Sequence, residues 1–212
     1  YGVFGVKWFF SQSNMEAILY QYSIIGLLAL GQLLVILIAG IDLSQGSLIA
    51  LTSITTASVM GPYGLIAGVV CGILMGTFVG LINGLLTART KMPDFLVTLG
   101  MMGIARGVAM QIANAKPVPI LNDPFMDFGE MIVLGVPISA LIWIGFCLLI
   151  AYFLYKRRTG RYIYAVGSNQ ENARLSGINV PRVKLLAYVL SGFFTSLAGV
   201  IWTARLGIGS PI

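Results

Sequence analysis

Few side chains in this sequence could carry out chemistry, and those present do not form a set that enzymes use. The 212 residues contain no His, and the two Cys, Cys71 and Cys147, both lie inside apolar stretches. Zinc sites and His-assisted nucleophiles therefore lack their usual residues. A phosphate-binding loop of the form G-x-x-x-x-G-K-S/T is also absent from the sequence, which excludes ATP hydrolysis by that route. We expect no catalytic site, no metal site and no enzymatic activity.

Four ionisable residues lie in or beside long apolar stretches, where a charge is costly and is often functional. They are Asp42, Asp94, Arg106 and Arg205. Asp42, in GIDLSQGS, could cap the helix that follows or line a transport pathway. Asp94 follows Pro93 and could cap a helix. Arg106 could reach outward to the interface or face the interior, and Arg205 could reach the outer interface or contact an external partner.

A run of hydroxyl side chains between residues 46 and 60 is the second polar feature. Thr52, Thr55 and Thr56 share one helical face because they are spaced i, i+3, i+4. Such hydroxyls could bond a hydrated substrate, or they could bond carbonyl groups of neighbouring helices. The candidate pathway residues are therefore Asp42, Ser44, Ser47, Thr52, Thr55, Thr56 and Arg106.

Long apolar stretches must position these residues, and they predict membrane spans. The composition is 58% hydrophobic and 9% charged, which is far from that of an ordinary soluble domain. A helix needs about 20 apolar residues to cross a bilayer. The predicted fold class is an all-α, polytopic transmembrane helical bundle with spans at residues 22–41, 63–88, 95–113, 131–155 and 185–204, and a shorter, more polar one at 46–60.

Basic residues orient these spans. The polar segment 156–184 carries seven Lys or Arg against the single acid Glu171, which is typical of the cytoplasmic side of a membrane protein. Alternation of the spans then places Arg89 and Lys91 in the cytoplasm as well. Topology therefore explains the net charge of +6 better than a nucleic-acid partner does. The loop 114–130 would lie outside, and we expect it to be irregular because it contains three prolines.

Two local patterns mark helix starts. Residues 1–21 are predicted to form an external interfacial segment that enters the first span through an S-x-x-E capping box at Ser13 and Glu16. A second box, at Ser168 and Glu171, predicts a short helix that stops at Gly177. A helix of about two turns is unstable alone in water. We therefore expect a soluble partner to hold this second helix.

Glycine recurs at every fourth residue from 64 to 84. The positions are 64, 68, 72, 76, 80 and 84. A ridge of small residues lets another helix approach closely in lipid. The ridge could be a sliding surface in a moving transporter or a static packing surface.

Four segments resemble one family, the ribose-type sugar permeases, which are membrane subunits of bacterial ATP-binding-cassette importers and are related to the branched-chain amino-acid permeases. The segments are AGIDLSQGSLIAL (39–51), MPDFLVTLGMMGIARG (92–107), TGRYIYAVGSNQENARLSGINVPRVKLLAYVLSG (159–192) and SLAGVIWTARL (196–206). They occur in the order and spacing that the family has. By this resemblance the sequence is a fragment of a fold with about ten helices, with one span before Tyr1 and several after Ile212.

The resemblance also implies partners and a location. The chain would be a single permease domain over residues 1–212, truncated at both ends, in the bacterial plasma (inner) membrane. It would assemble with a second permease, with ATPase subunits that bind ATP and Mg, and with an external sugar-binding protein. The chain itself would hold no cofactor. Homodimer and heterodimer stay open, as does the sugar.

In such importers a short cytoplasmic helix docks into a cleft of each ATPase, and residues 169–176 match that helix within the cytoplasmic loop 156–184. Arg174 would pair with acids on the ATPase, and Leu175 would fill an apolar pocket. The sequence departs from the family pattern at Ser168, Asn172, Gln45 and Asp94. The coupling residues implied are Gly167, Asn169, Glu171, Asn172, Ala173, Arg174, Leu175, Ser176 and Gly177.

Several functions are consistent with this sequence. The leading one is import of a monosaccharide such as ribose, galactose or xylose. A permease of the same type could instead carry a branched-chain amino acid, a nucleoside or a signalling furanose. An ion-coupled secondary transporter would need mid-span acids or His relays, and acids at mid-span are absent here. A membrane scaffold would need no capped docking helix.

Overall fold

A computed structural model describes residues 9–90 and 92–211 of the chain. The order of elements in this part is α1 (Gln12–Leu37), α2 (Gln45–Tyr63), α3 (Leu65–Arg89), α4 (Asp94–Ala113), β1 (Val118–Pro119), α5 (Asp123–Glu130), β2 (Ile132–Val133), β3 (Val136–Pro137), α6 (Ile138–Lys156), α7 (Arg158–Ser168), α8 (Gln170–Leu175), α9 (Val180–Leu206) and β4 (Ile208–Gly209). The predicted all-α class is confirmed.

Five of the described helices are long and apolar enough to cross a membrane, namely α1, α3, α4, α6 and α9. They correspond to the five longer spans that the sequence predicts, except that the run 131–155 begins with the β2–β3 hairpin and is helical only from Ile138. The sixth and more polar run forms α2, which packs against α3, α4 and α9 and buries most of its length among them. The helical bundle therefore encloses its most hydroxyl-rich helix rather than exposing it to lipid.

The glycine ridge is the surface on which α3 meets α9 and α2. A Cβ placed on Gly76 or Gly80 would overlap atoms of α9, and one placed on Gly72 would overlap the Thr56 hydroxyl of α2. The predicted close approach of helices is confirmed for the positions from 68 to 84. Gly64 does not belong to the ridge, because it lies in the turn between α2 and α3 with φ of 85° and has no atom near its Cβ position.

The first helix starts earlier than the sequence predicts. Its N-cap is Ser11, whose side chain accepts a hydrogen bond from the backbone N–H of Asn14. Ser13 therefore lies within α1, and the predicted capping box with Glu16 is wrong; the Glu16 carboxylate accepts a hydrogen bond from Gln12 instead. Residues 1–8 of the predicted interfacial segment lie outside the described residues.

The segment 114–130 is not irregular throughout. Asn122 caps α5 by accepting a hydrogen bond from the Phe125 N–H, and Pro124 fits the first turn of this helix because a first-turn N–H needs no intrahelical partner. Pro124 therefore lies at the start of a helix, and Pro119 lies in β1. β1, in the same segment, pairs with β4 after α9, so both lie at the same end of the bundle, as the alternation of spans requires.

Candidate functional site

The polar segment 156–184 folds into two helices that pack against the bundle. α7 was not predicted, and it presents an apolar side on which Ile163 and Val166 are buried in the cluster formed by α1, α6 and α9. Gly160 and Gly167 let α7 approach neighbouring backbone closely, and a Cβ on Gly167 would overlap the Leu37 carbonyl at the end of α1. α7 therefore fixes this segment to the ends of two spans.

The capping box predicted at Ser168 and Glu171 does not form at the start of α8. Asn169, in an extended conformation, caps α8 by accepting a hydrogen bond of 2.8 Å from the Asn172 N–H. Ser168 cannot take the N-cap position because it is still the last residue of α7. Glu171 does not reach back to the cap; its carboxylate forms an ion pair of 2.6 Å with Arg174.

The stop of α8 is where the sequence predicts it. Gly177 adopts a φ of 81°, which favours glycine, and its N–H donates to the Arg174 carbonyl. The Ile178 N–H donates to the Ala173 carbonyl, and Ala173 is buried against the bundle. α8 is therefore held on this side by its own chain, and the soluble partner expected at its other side stays a prediction.

The outer side of α8 presents apolar and charged groups together. Leu175 is 72% exposed, and the Arg174 and Glu171 side chains are 65% and 62% exposed. The hydrogen bonds from Arg174 lower the pKa of the Glu171 carboxyl, and the same contact raises the pKa of the Arg174 guanidinium. Both groups therefore remain charged at neutral pH. An exposed Leu beside such a pair, on a rigidly mounted helix, is suited to docking another protein.

The residues implied for coupling thus divide into two groups. Gly167 lets the preceding helix α7 pack closely on α1, Ala173 anchors α8, Gly177 ends it, and Asn169 caps it. The outward group that a partner could touch is Glu171, Asn172, Arg174, Leu175 and Ser176.

Asp42 lies at a buried polar junction between helices. Its carboxylate accepts hydrogen bonds from the Ser44 N–H at 3.0 Å, from the Ser44 hydroxyl at 2.6 Å and from the Ser191 hydroxyl of α9 at 3.0 Å. The N-cap position of α2 belongs to Ser44, which makes no side-chain capping bond. Asp42 therefore joins the α1–α2 connection to α9, in place of the predicted cap.

Two amide side chains extend this junction. The Asn83 side chain of α3 donates to the Ser44 hydroxyl at 3.0 Å, and Gln45 donates to the Ser191 hydroxyl at 3.0 Å. Asn83 and Ser191 are fully buried. The sequence patterns predict neither Asn83 nor Ser191, although an Asn within a long apolar run can indicate a buried polar contact.

Asp94 has a different role from the predicted cap. Pro93 occupies the N-cap position of α4, and Asp94 is in its first turn. The Asp94 carboxylate lies 3.5 Å from the Lys184 ammonium of α9, and the two side chains are 14% and 12% exposed. An ion pair therefore joins α4 and α9 near the junction of Asp42, where the Tyr188 hydroxyl also donates to the Ile41 carbonyl.

Comparison with known proteins decides the family. The sequence profile of the family described as branched-chain amino acid transport system / permease component matches residues 14–212. The chain belongs to this family. Its members named below are permeases, and the five spans agree with a multi-pass protein of the bacterial plasma membrane.

Several permeases are similar to this chain over nearly its whole length. The ribose import permease protein RbsC of Escherichia coli is 42% identical over 96% of this chain and 65% of its own length. The D-allose transport system permease protein AlsC of Escherichia coli is 35% identical over 100% of this chain and 66% of its own length. The fructose import permease protein FrcC of Rhizobium meliloti is 36% identical over 96% of this chain and 59% of its own length. The chain thus spans a little under two thirds of these relatives. No solved structure matches it.

The face of α2 that carries Thr52, Thr55 and Thr56 is buried against neighbouring helices. Thr52 and Thr56 are fully buried, and their hydroxyls have no hydrogen-bond partner among the described residues. The Thr55 hydroxyl donates to the Leu51 carbonyl of its own helix, and Ser47 is buried as well. The face lies against glycines of neighbouring helices, with Thr56 at Gly72 and Thr52 at Gly199.

The two predicted arginine sites have local partners. The Arg106 guanidinium donates to the Pro211 carbonyl at 3.3 Å, so this side chain joins α4 to the segment after α9. The Arg205 guanidinium lies 4.0 Å from the centre of the Tyr20 ring. A cation over an aromatic face is favourable, so Arg205 helps to join α9 to α1.

We predict that Thr52→Val will keep or raise the stability of this permease chain, by about 1 kcal/mol at most. The change removes a buried hydroxyl that has no partner among the described residues, and an unmet polar group in the interior is destabilising. The measurement is the thermal unfolding temperature of the full chain in neutral detergent. If the face also lines the pathway, solute uptake will fall although stability does not.

Ser191→Ala is the matched control. It also deletes one buried hydroxyl, but this hydroxyl donates to the Asp42 carboxylate and accepts from Gln45. We expect a loss of about 2 kcal/mol, because a hydrogen bond to a charged group is lost. Equal losses in the two variants would contradict the assignment of Thr52 as unpartnered.

Proposed function

We propose that this chain is the membrane-spanning permease subunit of an ATP-binding-cassette importer that carries a monosaccharide. The observation that carries the proposal is α8, which exposes Leu175 and the pair of Arg174 and Glu171 while its inner side is packed against the spans. The names of the relatives support the substrate class, because those proteins import ribose, allose and fructose.

The geometry around α8 suits the transmission of movement from a partner to the spans. Ala173 on α8 and Ile163 and Val166 on α7 belong to one apolar cluster with residues of α1, α6 and α9. A packed core of this kind moves as a unit rather than deforming continuously. A force applied at Leu175 would therefore reach the ends of the spans through α7 and α8.

The partners follow from the same proposal. ATP and Mg would be bound by separate ATPase subunits on the cytoplasmic side, and this chain would hold no cofactor. An external binding protein would deliver the sugar, and a second permease would complete the pathway. The buried junction at Asp42 would keep the cytoplasmic halves of α2, α3 and α9 together during the cycle.

Leu175→Asp tests the docking face. The change removes an exposed apolar group and adds a charge beside Glu171, so it should weaken the ATPase contact by about 2 kcal/mol, or roughly thirtyfold. The measurement is recovery of the ATPase subunit with the affinity-purified full chain, together with ATP-driven sugar uptake in proteoliposomes. We expect both to fall strongly, with an unchanged unfolding temperature of the isolated permease.

Leu134→Asp is the matched control, because Leu134 is 100% exposed and lies in the β2–β3 turn at the other end of α6. Recovery of the ATPase should be the same as with the unchanged chain. Normal recovery with Leu175→Asp would exclude α8 as the docking element. Sugar uptake that persists when the ATPase cannot hydrolyse ATP would exclude an ATP-driven importer. Uptake of a branched-chain amino acid in place of sugars would correct the substrate class.

A further inference from the structure

A groove on the side of the bundle lies between the cytoplasmic halves of α1 and α6 and is covered at one end by α7. Its volume is about 650 Å³. The walls are apolar and come from two spans, with Leu30 and Leu33 on α1 and Ile150 and Leu154 on α6. Arg161 of α7 is the charged residue in its lining.

The depth of this groove matches part of an acyl chain. Cys147, which lines its inner end, is nine residues before the end of α6 at Lys156, or about 14 Å at 1.5 Å per residue. The outer end is the region where α6 gives way to α7, which is the level of the membrane surface. Two tyrosines, Tyr155 and Tyr164, line this outer end, as aromatic residues at membrane interfaces commonly do.

The charged side chains near the outer end of the groove are all basic. Arg161 has no acidic partner among the described residues, and Lys156, Arg157 and Arg158 lie within the preceding five positions. The sequence contains no Asp or Glu between Glu130 and Glu171. The groove thus joins an apolar slot at membrane depth to an uncompensated guanidinium group at the surface.

We propose that this groove binds an anionic phospholipid of the cytoplasmic leaflet. Arg161 binds the phosphate, for which a guanidinium group offers paired N–H donors. One acyl chain lies along the α1 and α6 walls. Basic pockets between spans on the cytoplasmic side suit anionic headgroups, whereas a zwitterionic lipid leaves the positive charge of the rim unbalanced. Because α7 carries α8, the lipid would also fasten the docking helix to the membrane.

The test is a titration of the purified full chain in neutral detergent with phosphatidylglycerol and with phosphatidylcholine of matched acyl chains, followed by native mass spectrometry. We expect the unchanged chain to retain phosphatidylglycerol at lower lipid concentrations than phosphatidylcholine. Arg161→Gln should weaken the binding of phosphatidylglycerol by roughly five- to tenfold. It should weaken that of phosphatidylcholine less, because the choline cation offsets the phosphate charge that Arg161 attracts.

Two further variants separate the groove from general surface attraction. Arg158→Gln makes the same change of charge on an exposed residue that does not line the groove, so it should weaken binding much less. Leu33→Trp fills the slot and keeps Arg161, and it should reduce lipid retention about as much as Arg161→Gln does. Equal losses in the two Arg variants, normal binding with Leu33→Trp, or no preference for phosphatidylglycerol would each overturn the proposal. Unfolding temperatures in lipid-free detergent show that each variant is folded.

Discussion

Gly80→Val is expected to destabilise the bundle by about 3 kcal/mol, because it separates the two helices that pack most closely. A Cβ at Gly80 would overlap the Tyr188 carbonyl oxygen and lie 3.0 Å from the Gly192 Cα. Both are backbone atoms of α9, so no side-chain rotation can relieve the clash. Overpacking of a well-packed interior typically costs about 1–3 kcal/mol, and the upper end applies where backbone must move.

Gly103→Val on α4 is the control for Gly80→Val. Gly103 is also helical, but no atom lies within 4 Å of its Cβ position. The two variants share the same change in helix propensity, which is below about 1 kcal/mol, so the difference between them reports packing alone. The measurement is the unfolding temperature of the full chain in one detergent. If Gly80→Val unfolds at the same temperature as Gly103→Val, the close contact of α3 and α9 is wrong.

The spans and the glycine ridge could be predicted because each depends on a local and periodic pattern. About 20 apolar residues are needed to cross a bilayer whatever lies beside them, and a repeat of four places small residues on one helical face. The end of the ridge at Gly64 could not be predicted in this way. That residue continues the repeat in sequence, but its φ of 85° places it in the turn before α3.

The cytoplasmic helices show where local patterns fail. α7 carries two basic residues, follows Lys156 and Arg157, and has only a narrow apolar side, so its sequence is typical of an exposed loop. Burial of Ile163 and Val166 against α1, α6 and α9 is what stabilises it. Because α7 extends through Ser168, the cap of α8 moves to Asn169. The wrong N-cap therefore follows from not predicting α7. The stop at Gly177 is predicted correctly, because it depends only on the ability of this glycine to adopt a positive φ.

The buried junction could be anticipated in the segment around Asp42, Ser44 and Gln45, but not at its partners Asn83 and Ser191. Asp42 attracts notice as an acid among apolar residues, but its partner Ser191 is 149 positions away, and Asn83 lies 39 positions from Ser44. Periodicity shows which residues share one face of a helix. It does not show which helix packs against that face, or at what depth in the bundle. The same holds for the ion pair of Asp94 and Lys184, which are 90 positions apart.

Lys184→Met is expected to destabilise the chain by about 2 kcal/mol. It leaves the Asp94 carboxylate, which is 14% exposed, without its cation at the contact between α4 and α9. Breaking a fully buried pair from one side costs roughly 3–5 kcal/mol, and the residual exposure of this pair lowers that figure. Arg182→Met, an exposed cation two positions earlier on the same helix, should change stability by less than about 0.5 kcal/mol.

The double variant Asp94→Asn with Lys184→Met decides whether the two charges act on each other. Once the carboxylate is neutral, Lys184→Met no longer strands a charge, so the double variant should be more stable than Lys184→Met alone. The thermal unfolding temperatures of the four chains form a double-mutant cycle, and we expect a coupling of about 1–2 kcal/mol. Losses that simply add would mean that Asp94 and Lys184 stabilise the bundle separately, without an ion pair that joins α4 to α9.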